Sequence, residues 1–203
     1  MADIFVVRHG ETDWNLAQRF QGHTDIPLNA TGERQAELLA ERLAKEPIEA
    51  IYTSDLKRAQ QTAETSARRH GLKARLEPGL RERNFGAFEG RTFAEIASLF
   101  PDEHRRWISR DPDFLIDGGE SLLQVSTRVA AVLDGLAHQH AEGCILLVTH
   151  GGALDLIYRR VLGIDLKQPR AWPTPNAAVN RLRFEKGAWQ MVAWADEEHL
   201  HEG

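Results

Sequence analysis

The chain has 203 residues, of which 42% are hydrophobic and 27% charged, as is typical of a globular α/β domain. Its formal net charge of -5 argues against the chain as a whole binding nucleic acid or an anionic membrane. The single cysteine rules out an internal disulfide framework and fits a reducing compartment. Cys144 opens an apolar run, so we interpret it as a small buried residue.

The sequence shows neither a membrane-spanning or signal-peptide pattern nor a sign of division into several domains. No apolar stretch is long enough to span a membrane, and Met-Ala-Asp leads straight into a strand without the pattern of a signal peptide. We therefore expect a cytoplasmic protein without a membrane partner. Because low-complexity segments, repeats and linkers are not evident, residues 1–203 are predicted to form one domain.

The first half of the chain alternates between strand and helix patterns. Ile4-Phe5-Val6-Val7 is an uninterrupted apolar run that predicts a buried strand. Thr31 is predicted to cap a helix that ends before Pro47. The other predicted elements here are a strand at 50–53, a helix from Ser54 to about His70 closed by Gly71, and a strand at 74–77.

The second half contains an irregular stretch followed by more alternating elements. Residues 85–119 hold one short helical segment near 92–100 among prolines and paired glycines, and we interpret them as a lid over one end of the sheet. Ser121 is predicted to cap the next helix. The remaining predictions are helices at 121–140 and 151–163, a strand at 145–149, and a hairpin of 179–185 with 189–194. This order predicts a mostly parallel sheet flanked by helices.

The first segment with chemical character follows the first strand and reads Arg8-His9-Gly10-Glu11-Thr12. Ligands of α/β proteins bind at the carboxyl ends of strands. Arginine offers a cationic fork for phosphate, and an imidazole nitrogen can attack phosphorus near neutral pH. Glycine lets the backbone approach a ligand closely. Taken alone, the segment also fits a polar surface turn.

Three further segments extend this pattern. Val148-Thr149-His150-Gly151-Gly152 repeats the strand, histidine and glycine order, which predicts two imidazoles at one sheet edge. Arg58 lies in the opening turns of a predicted helix, where the helix dipole favours an anion. Glu82 precedes Phe85 and Phe88, and a carboxyl beside aromatic rings can donate a proton. Each alone also fits a structural hydrogen bond, a solvated helix face or a salt-bridged loop.

Together these segments resemble the histidine phosphatase superfamily, also called the phosphoglycerate-mutase-like family. The resemblance extends over nearly the whole chain, up to the Thr149-His150-Gly151 strand end. It rests on four elements in order, namely Arg8 to Thr12, Trp14-Asn15, Gln21-Gly22 and Thr53 to Ala59. The resemblance implies a three-layer α/β/α fold with a mostly parallel mixed sheet and a lid at about 85–119.

The resemblance also implies residue roles. His9 is implied as the nucleophile that becomes phosphohistidine, and Glu82 as the proton donor. The implied phosphate-binding residues are Arg8, Asn15, Arg58 and His150, and the implied substrate-binding residues are Gln21 and Gly22.

This set of groups matches the needs of phosphate ester cleavage. Arg8 and Arg58 can neutralise the phosphate oxygens that repel a nucleophile, and His150, if protonated, adds a third positive group. His9 needs an acceptor for its second ring N–H, and we predict a backbone carbonyl near Gly10. Glu82 can protonate the leaving oxygen and then activate water, so we expect neither metal nor cofactor.

Other histidines are not predicted to take part. The pairs His138-x-His140 and His199-x-His201 lie at a helix end and at the C-terminus. We interpret both pairs as solvated rather than as metal ligands. Walker and dinucleotide glycine patterns are not evident, so a nucleotide-binding module is disfavoured.

The reaction type and the partners stay open at this point. The run Asn84 to Gly90 resembles the phosphatase branch, so we expect a phosphomonoesterase acting on a small phosphate ester. The alternatives are a cofactor-dependent phosphoglycerate mutase and a non-catalytic phosphometabolite-binding protein. Arg105-Arg106 resembles an arginine pair that binds substrate carboxylate, which suggests phosphoserine or a phosphoglycerate. The Pro169 to Pro175 stretch with Trp172 is either an interface, which would allow a homodimer, or a loop packed on the domain.

Overall fold

The computed structural model describes residues 1–201, and its elements follow the predicted alternation. The strands are β1 (Ala2–Arg8), β2 (Ala50–Thr53), β3 (Ala74–Leu76), β4 (Cys144–Thr149), β5 (Val179–Glu185) and β6 (Ala188–Asp196). The helices are α1 (Asp13–Leu16), α2 (Ala30–Leu43), α3 (Lys57–His70), α4 (Phe93–Leu99), α5 (Pro101–Ile108), α6 (Leu122–Gln139), α7 (Gly151–Leu162) and α8 (Glu198–His201). Within residues 1–201, none of these helices combines the length and apolar character needed to cross a bilayer.

All six strands form one mixed sheet in the order β3-β2-β4-β1-β5-β6. The strands β1, β2, β3 and β4 are parallel to one another, whereas β5 is antiparallel to both β1 and β6. The prediction of a mostly parallel mixed sheet is therefore confirmed. Because Arg8 lies opposite Thr149 in the β1–β4 register, the two His-Gly turns leave the sheet side by side.

Helices cover both faces of the sheet, which confirms the three-layer arrangement. In β1, Ile4 and Val6 pack with α6 and α7, whereas Phe5 and Val7 belong to the cluster that contains α2 and α3 side chains. The side chains of residues 4–7 are thus buried on both faces of the sheet, which explains why this part of β1 is apolar without alternation.

Residues 85–119 form the predicted lid, but with two helices rather than one. Pro101 begins α5 at a position where proline costs no hydrogen bond, so the chain continues in helix instead of ending there. The lid has its own small apolar core, made of Phe88, Ile96, Phe114 and Ile116.

Two predicted helix starts are wrong and one is confirmed. The N-cap of α2 is Asn29, whose Oδ1 accepts from the Gly32 N–H at 2.9 Å, so the helix begins before Thr31. Ser54 does not open α3, because its N–H still donates to Val148 O at 3.0 Å and continues the sheet. Ser121 caps α6 with a reciprocal bond pair to Gln124, as predicted.

The C-terminal segment differs from the prediction of a solvated histidine pair. His199 is buried on α8, and its Nε2–H donates to Ala177 O at 3.1 Å. His140 bonds Glu49 at 2.8 Å and is only partly exposed, whereas His138 is exposed. Packing of the chain end and of the α6 terminus buried these rings, and neither position carries a local sequence signal for it.

Two other interpretations are settled by packing. Cys144 is buried, as expected, and burial raises the pKa of its thiol to about 12. Trp172 stacks on Tyr158 of α7 with ring centroids 4.1 Å apart, and Arg159 lies 4.8 Å from the Trp172 ring centre. The stretch around Trp172 is therefore a loop packed on the domain.

Candidate active site

The two histidines that end β1 and β4 lie together, as their positions predicted. The ring centroids of His9 and His150 are 5.1 Å apart, and both side chains are almost completely buried. The backbone holds this pair, since the His9 N–H donates to Thr149 O at 2.9 Å. The cleft beside them has a volume of about 380 Å³ and is lined by Arg8, His9, Asn15, Gln21, Gly22, Arg58 and Glu82 among others. It thus gathers most of the residues singled out in the sequence.

His9 has the backbone acceptor that its role requires. Its Nδ1–H donates to Gly10 O at 2.7 Å, which leaves Nε2 with a free lone pair. Gly10 allows this tight turn because a Cβ at that position would lie 2.5 Å from Gly32 O. Burial, followed by the charges of Arg58 and Arg8, holds the pKa of His9 well below its ordinary value. The ring is therefore neutral and nucleophilic at neutral pH.

His150 differs from the expectation of a third positive group. Neither ring nitrogen has a hydrogen-bond partner within residues 1–201, and both are buried. Burial, followed by the charges of Arg58 and His9, holds the pKa of His150 well below its ordinary value. In the free protein the ring is neutral, and it can offer one N–H to an anion.

Two of the arginines that line the cleft, Arg8 and Arg58, are held in place by backbone carbonyls. Arg58 is fully buried and donates to Thr24 O at 2.9 Å and to Gly22 O at 2.7 Å. Arg8 donates to Thr174 O at 2.8 Å. Burial lowers the pKa of Arg58 to about 10, so the side chain stays charged at neutral pH. The Nε atoms of both arginines are buried and unpartnered within residues 1–201, so each keeps a donor for an anion.

Asn15 also lines the cleft, next to the arginines. Its Oδ1 accepts from the Thr12 N–H at 3.1 Å in a reciprocal cap of α1. Asn176, which the sequence analysis missed, donates to His9 O at 2.8 Å and approaches Asn15 Oδ1 at 3.4 Å. Because these donors occupy Oδ1, Asn15 presents its Nδ2 amide to the cleft.

Glu82 faces the same cleft with its carboxylate fixed by two backbone donors. The Arg83 N–H bonds Oε1 at 2.8 Å, and the Gly152 N–H bonds Oε2 at 2.9 Å. Gly152 belongs to the first turn of α7, so the helix that follows His150 also orients the carboxyl. A Cβ on Gly152 would lie 2.2 Å from Glu82 Oε1.

This contact leads to a prediction for Gly152→Ala. The added methyl group has to displace the flexible Glu82 carboxyl rather than backbone, so we expect kcat to fall by roughly 10- to 100-fold with little loss of stability. Gly135→Ala is the matched control, because nothing lies within 4 Å of its Cβ position in α6. Steady-state assays and thermal unfolding of both variants test this. A Gly152→Ala enzyme with unchanged kcat would contradict it.

Gln21 and Gly22 lie in the loop whose carbonyl groups hold the Arg58 side chain. Gly22 has a φ of 53°, and a Cβ there would lie 2.0 Å from Glu89 Oε1. Glu89 ties this loop to the lid, since it accepts from the His23 N–H at 2.8 Å and the Phe85 N–H at 3.1 Å. Glu89 therefore helps to position Arg58, a role that its place in the run Asn84 to Gly90 did not reveal.

The arginine pair of the lid is divided between two surroundings. Arg105 is exposed and pairs with Asp102 on its own helix, and it lines neither the cleft nor the second cavity next to it. Arg106 pairs with Asp111 at 2.8 Å and lines a second cavity next to the cleft. The structure thus brings Arg106, but not Arg105, near the site.

Three buried histidines predict a pH dependence of stability. Burial lowers the pKa of His9, His150 and His199, whereas the unfolded chain binds these protons near 6.5. The unfolded state therefore holds more protons below that pH, and the free energy of unfolding should decrease as the pH falls from about 7 to 5. Urea unfolding across this range should show the loss, and His199→Gln should reduce its slope relative to the exposed His138→Gln control. A flat profile in the wild type would contradict this expectation.

Within residues 1–201, no three His, Cys, Asp or Glu side chains gather in a way that could hold a metal ion. The cleft is lined by four arginines, Arg8, Arg19, Arg58 and Arg170, and imidazole and amide groups add further donors. Such a site can bind a phosphoryl group, attack it with His9 Nε2 and exchange a proton through Glu82.

Comparison with known proteins agrees with this geometry. The family described as histidine phosphatase superfamily (branch 1) matches residues 4–197. The chain is 38% identical over 205 residues to phosphoglycerate mutase-like protein 4 of Arabidopsis thaliana, which covers 99% of this chain and 88% of that protein.

Two solved phosphatases are similar in structure. Phosphoserine phosphatase of Entamoeba histolytica, in complex with 3-phosphoglyceric acid, has a TM-score of 0.89 at 28% identity, covering 98% of this chain and 100% of that one. A mycobacterial glucosyl-3-phosphoglycerate phosphatase bound to VO3 has a TM-score of 0.86 at 30% identity, covering 96% and 99%. By family match and by sequence identity over nearly its whole length, the chain belongs to branch 1 of the histidine phosphatase superfamily.

Proposed function

We propose that this protein is a metal-independent phosphomonoesterase that hydrolyses a small phosphorylated metabolite through a phosphohistidine on His9. The observation that carries the proposal is the Nδ1–H bond of His9 to Gly10 O, which fixes a neutral ring with Nε2 free beside two arginines. A neutral, oriented nitrogen next to fixed cations is what an attack on a phosphate dianion requires.

In the first step, His9 Nε2 forms a bond to phosphorus as the bond from phosphorus to the ester oxygen breaks. Arg8, Arg58 and Asn15 hold the three phosphoryl oxygens, and His150 contributes one N–H. Glu82, in its protonated form, gives its proton to the leaving oxygen, so the product departs as an alcohol. Fixed donors stabilise the charge that spreads over the phosphoryl oxygens in the transition state.

In the second step, water attacks the phosphohistidine. The Glu82 carboxylate takes a proton from this water, and the nitrogen–phosphorus bond breaks to restore the His9 lone pair. Inorganic phosphate leaves, and Glu82 is again protonated for the next cycle. One carboxyl therefore serves both half-reactions.

We further propose that the substrate carries a carboxylate. Two solved relatives support this, namely the Entamoeba phosphoserine phosphatase, known in complex with phosphoserine and with 3-phosphoglyceric acid, and the mycobacterial glucosyl-3-phosphoglycerate phosphatase. The cationic side chains next to the cleft, Arg106 and Arg170 among them, suit such a group.

A mutase remains the second candidate, since a relative with 38% identity is named phosphoglycerate mutase-like protein. Both reactions share the phosphohistidine and differ in whether water or a second sugar acid accepts the phosphoryl group. A non-catalytic phosphometabolite-binding protein would show neither reaction.

Phosphate release from a panel of esters in EDTA separates these candidates. The panel contains phosphoserine, 3-phosphoglycerate, 4-nitrophenyl phosphate and a sugar phosphate. We expect turnover in EDTA with a preference for the carboxylated esters. Interconversion of phosphoglycerates that requires 2,3-bisphosphoglycerate, without phosphate release, would identify a mutase, and tight binding without either reaction would identify a binding protein.

A further inference from the structure

A second cavity opens from the catalytic cleft beneath the lid. Its volume is about 480 Å³, and it shares Phe20, Phe85 and Arg170 with the cleft. Gly152, which donates to Glu82, forms part of its lining. Because Glu82 is the proposed donor to the leaving oxygen, this cavity lies on the side where the leaving group would be held. We refer to it as the side cavity.

One wall of the side cavity is aromatic. Phe20 and Phe85 each meet Trp107 edge to face with ring centroids 5.5 Å apart, and they meet each other at 5.0 Å. Arg83 lies 4.7 Å from the Trp107 ring centre and donates to Glu120 O and Phe114 O, which fixes the wall. A rigid aromatic wall favours a ring-bearing ligand over a short, fully solvated chain.

The side cavity also carries positive charge, since it is lined by Arg83, Arg106, Arg110 and Arg170, and two of these arginines form ion pairs. Arg106 pairs with Asp111 at 2.8 Å, and Arg110 pairs with Asp155 at 3.2 Å. Neither Arg83 nor Arg170 forms an ion pair within residues 1–201, but Arg83 donates to two backbone carbonyls, whereas the Arg170 side chain bonds only Thr174 Oγ1, at 3.2 Å.

Arg170 stands where the cleft and the side cavity meet. It lines both spaces, between the arginines of the phosphate site and Arg110 of the lid. Burial lowers the pKa of Arg8, and the charge of Arg170 lowers it further; the pKa of Arg110 is lowered by burial, then by the charge of Arg159 and, less, by that of Arg170. Arg170 is thus within electrostatic reach of both. An anion bound there would relieve this repulsion between like charges.

We propose that the side cavity is a subsite for a ring-bearing organic acid as leaving group, with Arg170 binding its carboxylate and the Trp107 wall packing on its ring. This inference rests on the proposed function, since it assigns the part of the ester that leaves. It makes Arg170 a specificity-determining residue, and it gives Arg105 no part in substrate binding.

The test uses two matched esters, phenyl phosphate and 4-carboxyphenyl phosphate, with 3-phosphoglycerate as the ester without a ring. For wild type we expect the highest kcat/KM on 4-carboxyphenyl phosphate. For Arg170→Gln we expect the ratio of kcat/KM between the carboxylated and the plain phenyl ester to fall by at least about 10-fold, the size of a lost charge-assisted hydrogen bond. Using the ratio removes the difference in intrinsic reactivity between the two esters. Arg105→Gln is the matched control, and its ratio should equal that of wild type.

Several results would overturn the subsite. An equal loss on both phenyl esters in Arg170→Gln would place Arg170 on the transferred phosphate instead. A wild-type kcat/KM for 3-phosphoglycerate above that for 4-carboxyphenyl phosphate would refute the ring-bearing class. An unchanged ratio in a variant with wild-type thermal stability would remove Arg170 from recognition.

A binding measurement keeps this inference separate from the proposed hydrolysis. Titration calorimetry of wild type with 4-hydroxybenzoate and with phenol probes the side cavity without chemistry. Arg170-dependent binding of 4-hydroxybenzoate, together with no hydrolysis of any ester, would support the subsite while the phosphatase proposal fails. Hydrolysis without a preference for the carboxylated ester and without binding of 4-hydroxybenzoate would support the phosphatase proposal and refute the subsite.

Discussion

Replacing His9 with alanine is expected to abolish phosphate release, with a fall in kcat of about 10⁴-fold or more, because the covalent route is lost with its nucleophile. The cationic pocket does not depend on this ring, since Arg58 is anchored by Gly22 O and Thr24 O. The variant should therefore still bind inorganic phosphate. Single-turnover assays in EDTA measure the first effect, and phosphate titration measures the second.

The exposed His138 gives the control for this experiment. His138→Ala removes the same ring far from the cleft and should keep wild-type kcat. A His9→Ala enzyme that retained more than about one tenth of wild-type kcat would contradict the account, since loss of a covalent nucleophile costs far more than that. Loss of activity with loss of the thermal transition would report unfolding, and a His9→Gln variant then takes its place.

Replacing Glu82 with glutamine should affect the two half-reactions differently. An alkyl ester needs a proton on its leaving oxygen, so we expect kcat for phosphoserine to fall by roughly 10²- to 10³-fold. Nitrophenolate is a good leaving group that needs no proton, so the first step with 4-nitrophenyl phosphate should survive. The second step still lacks its base, and the phosphohistidine should accumulate.

This difference is visible as a burst. Stopped-flow mixing of Glu82→Gln with 4-nitrophenyl phosphate should release one nitrophenolate per active site and then slow to the rate of phosphohistidine hydrolysis. Glu142→Gln, an exposed change away from the cleft, should show wild-type steady-state turnover. Equal losses on the alkyl and the nitrophenyl ester, without a burst, would argue that Glu82 orients the site but transfers no proton.

The parts of the site that lie at strand ends could be predicted from sequence. His9 and His150 follow apolar strands directly, and parallel neighbours place their ends at one sheet edge, so their proximity follows from the pattern. The backbone acceptor of His9 was predictable for the same reason, because the adjacent Gly10 permits a tight turn. Local rules were sufficient where a position follows from the end of a predicted strand or from the adjacent residue.

Contacts between distant segments escaped prediction. Asn176 and Arg170 come from an irregular loop after α7, and neither has a periodic or capping signal that would aim it at β1. Glu89 lies in the run Asn84 to Gly90, and only the fold shows that it holds the loop whose carbonyl groups bind Arg58. His199 is buried by a short terminal helix whose packing depends on α2 and the Ala177 turn.

The prediction for the two lid arginines, Arg105 and Arg106, was correct for only one of them as far as position is concerned. Their adjacency suggested a joint role, but neighbouring residues of a helix point in directions about 100° apart. Pro101 starts α5 rather than ending the preceding helix, and the register it sets turns Arg106 toward Phe114 and Arg105 toward Asp102. Sequence adjacency alone could not show whether Arg105 or Arg106 lines the cavity.

The central claim, a phosphohistidine on His9, is tested most directly by mapping the covalent adduct. Wild type and Glu82→Gln are mixed with 4-nitrophenyl phosphate in EDTA, quenched in alkali within one turnover, digested and analysed by mass spectrometry. The account predicts one phosphoryl group on the peptide that contains His9, with higher occupancy in Glu82→Gln and none in His9→Ala. A phosphoryl group on any other residue, or a burst of nitrophenolate with unmodified His9, would contradict it.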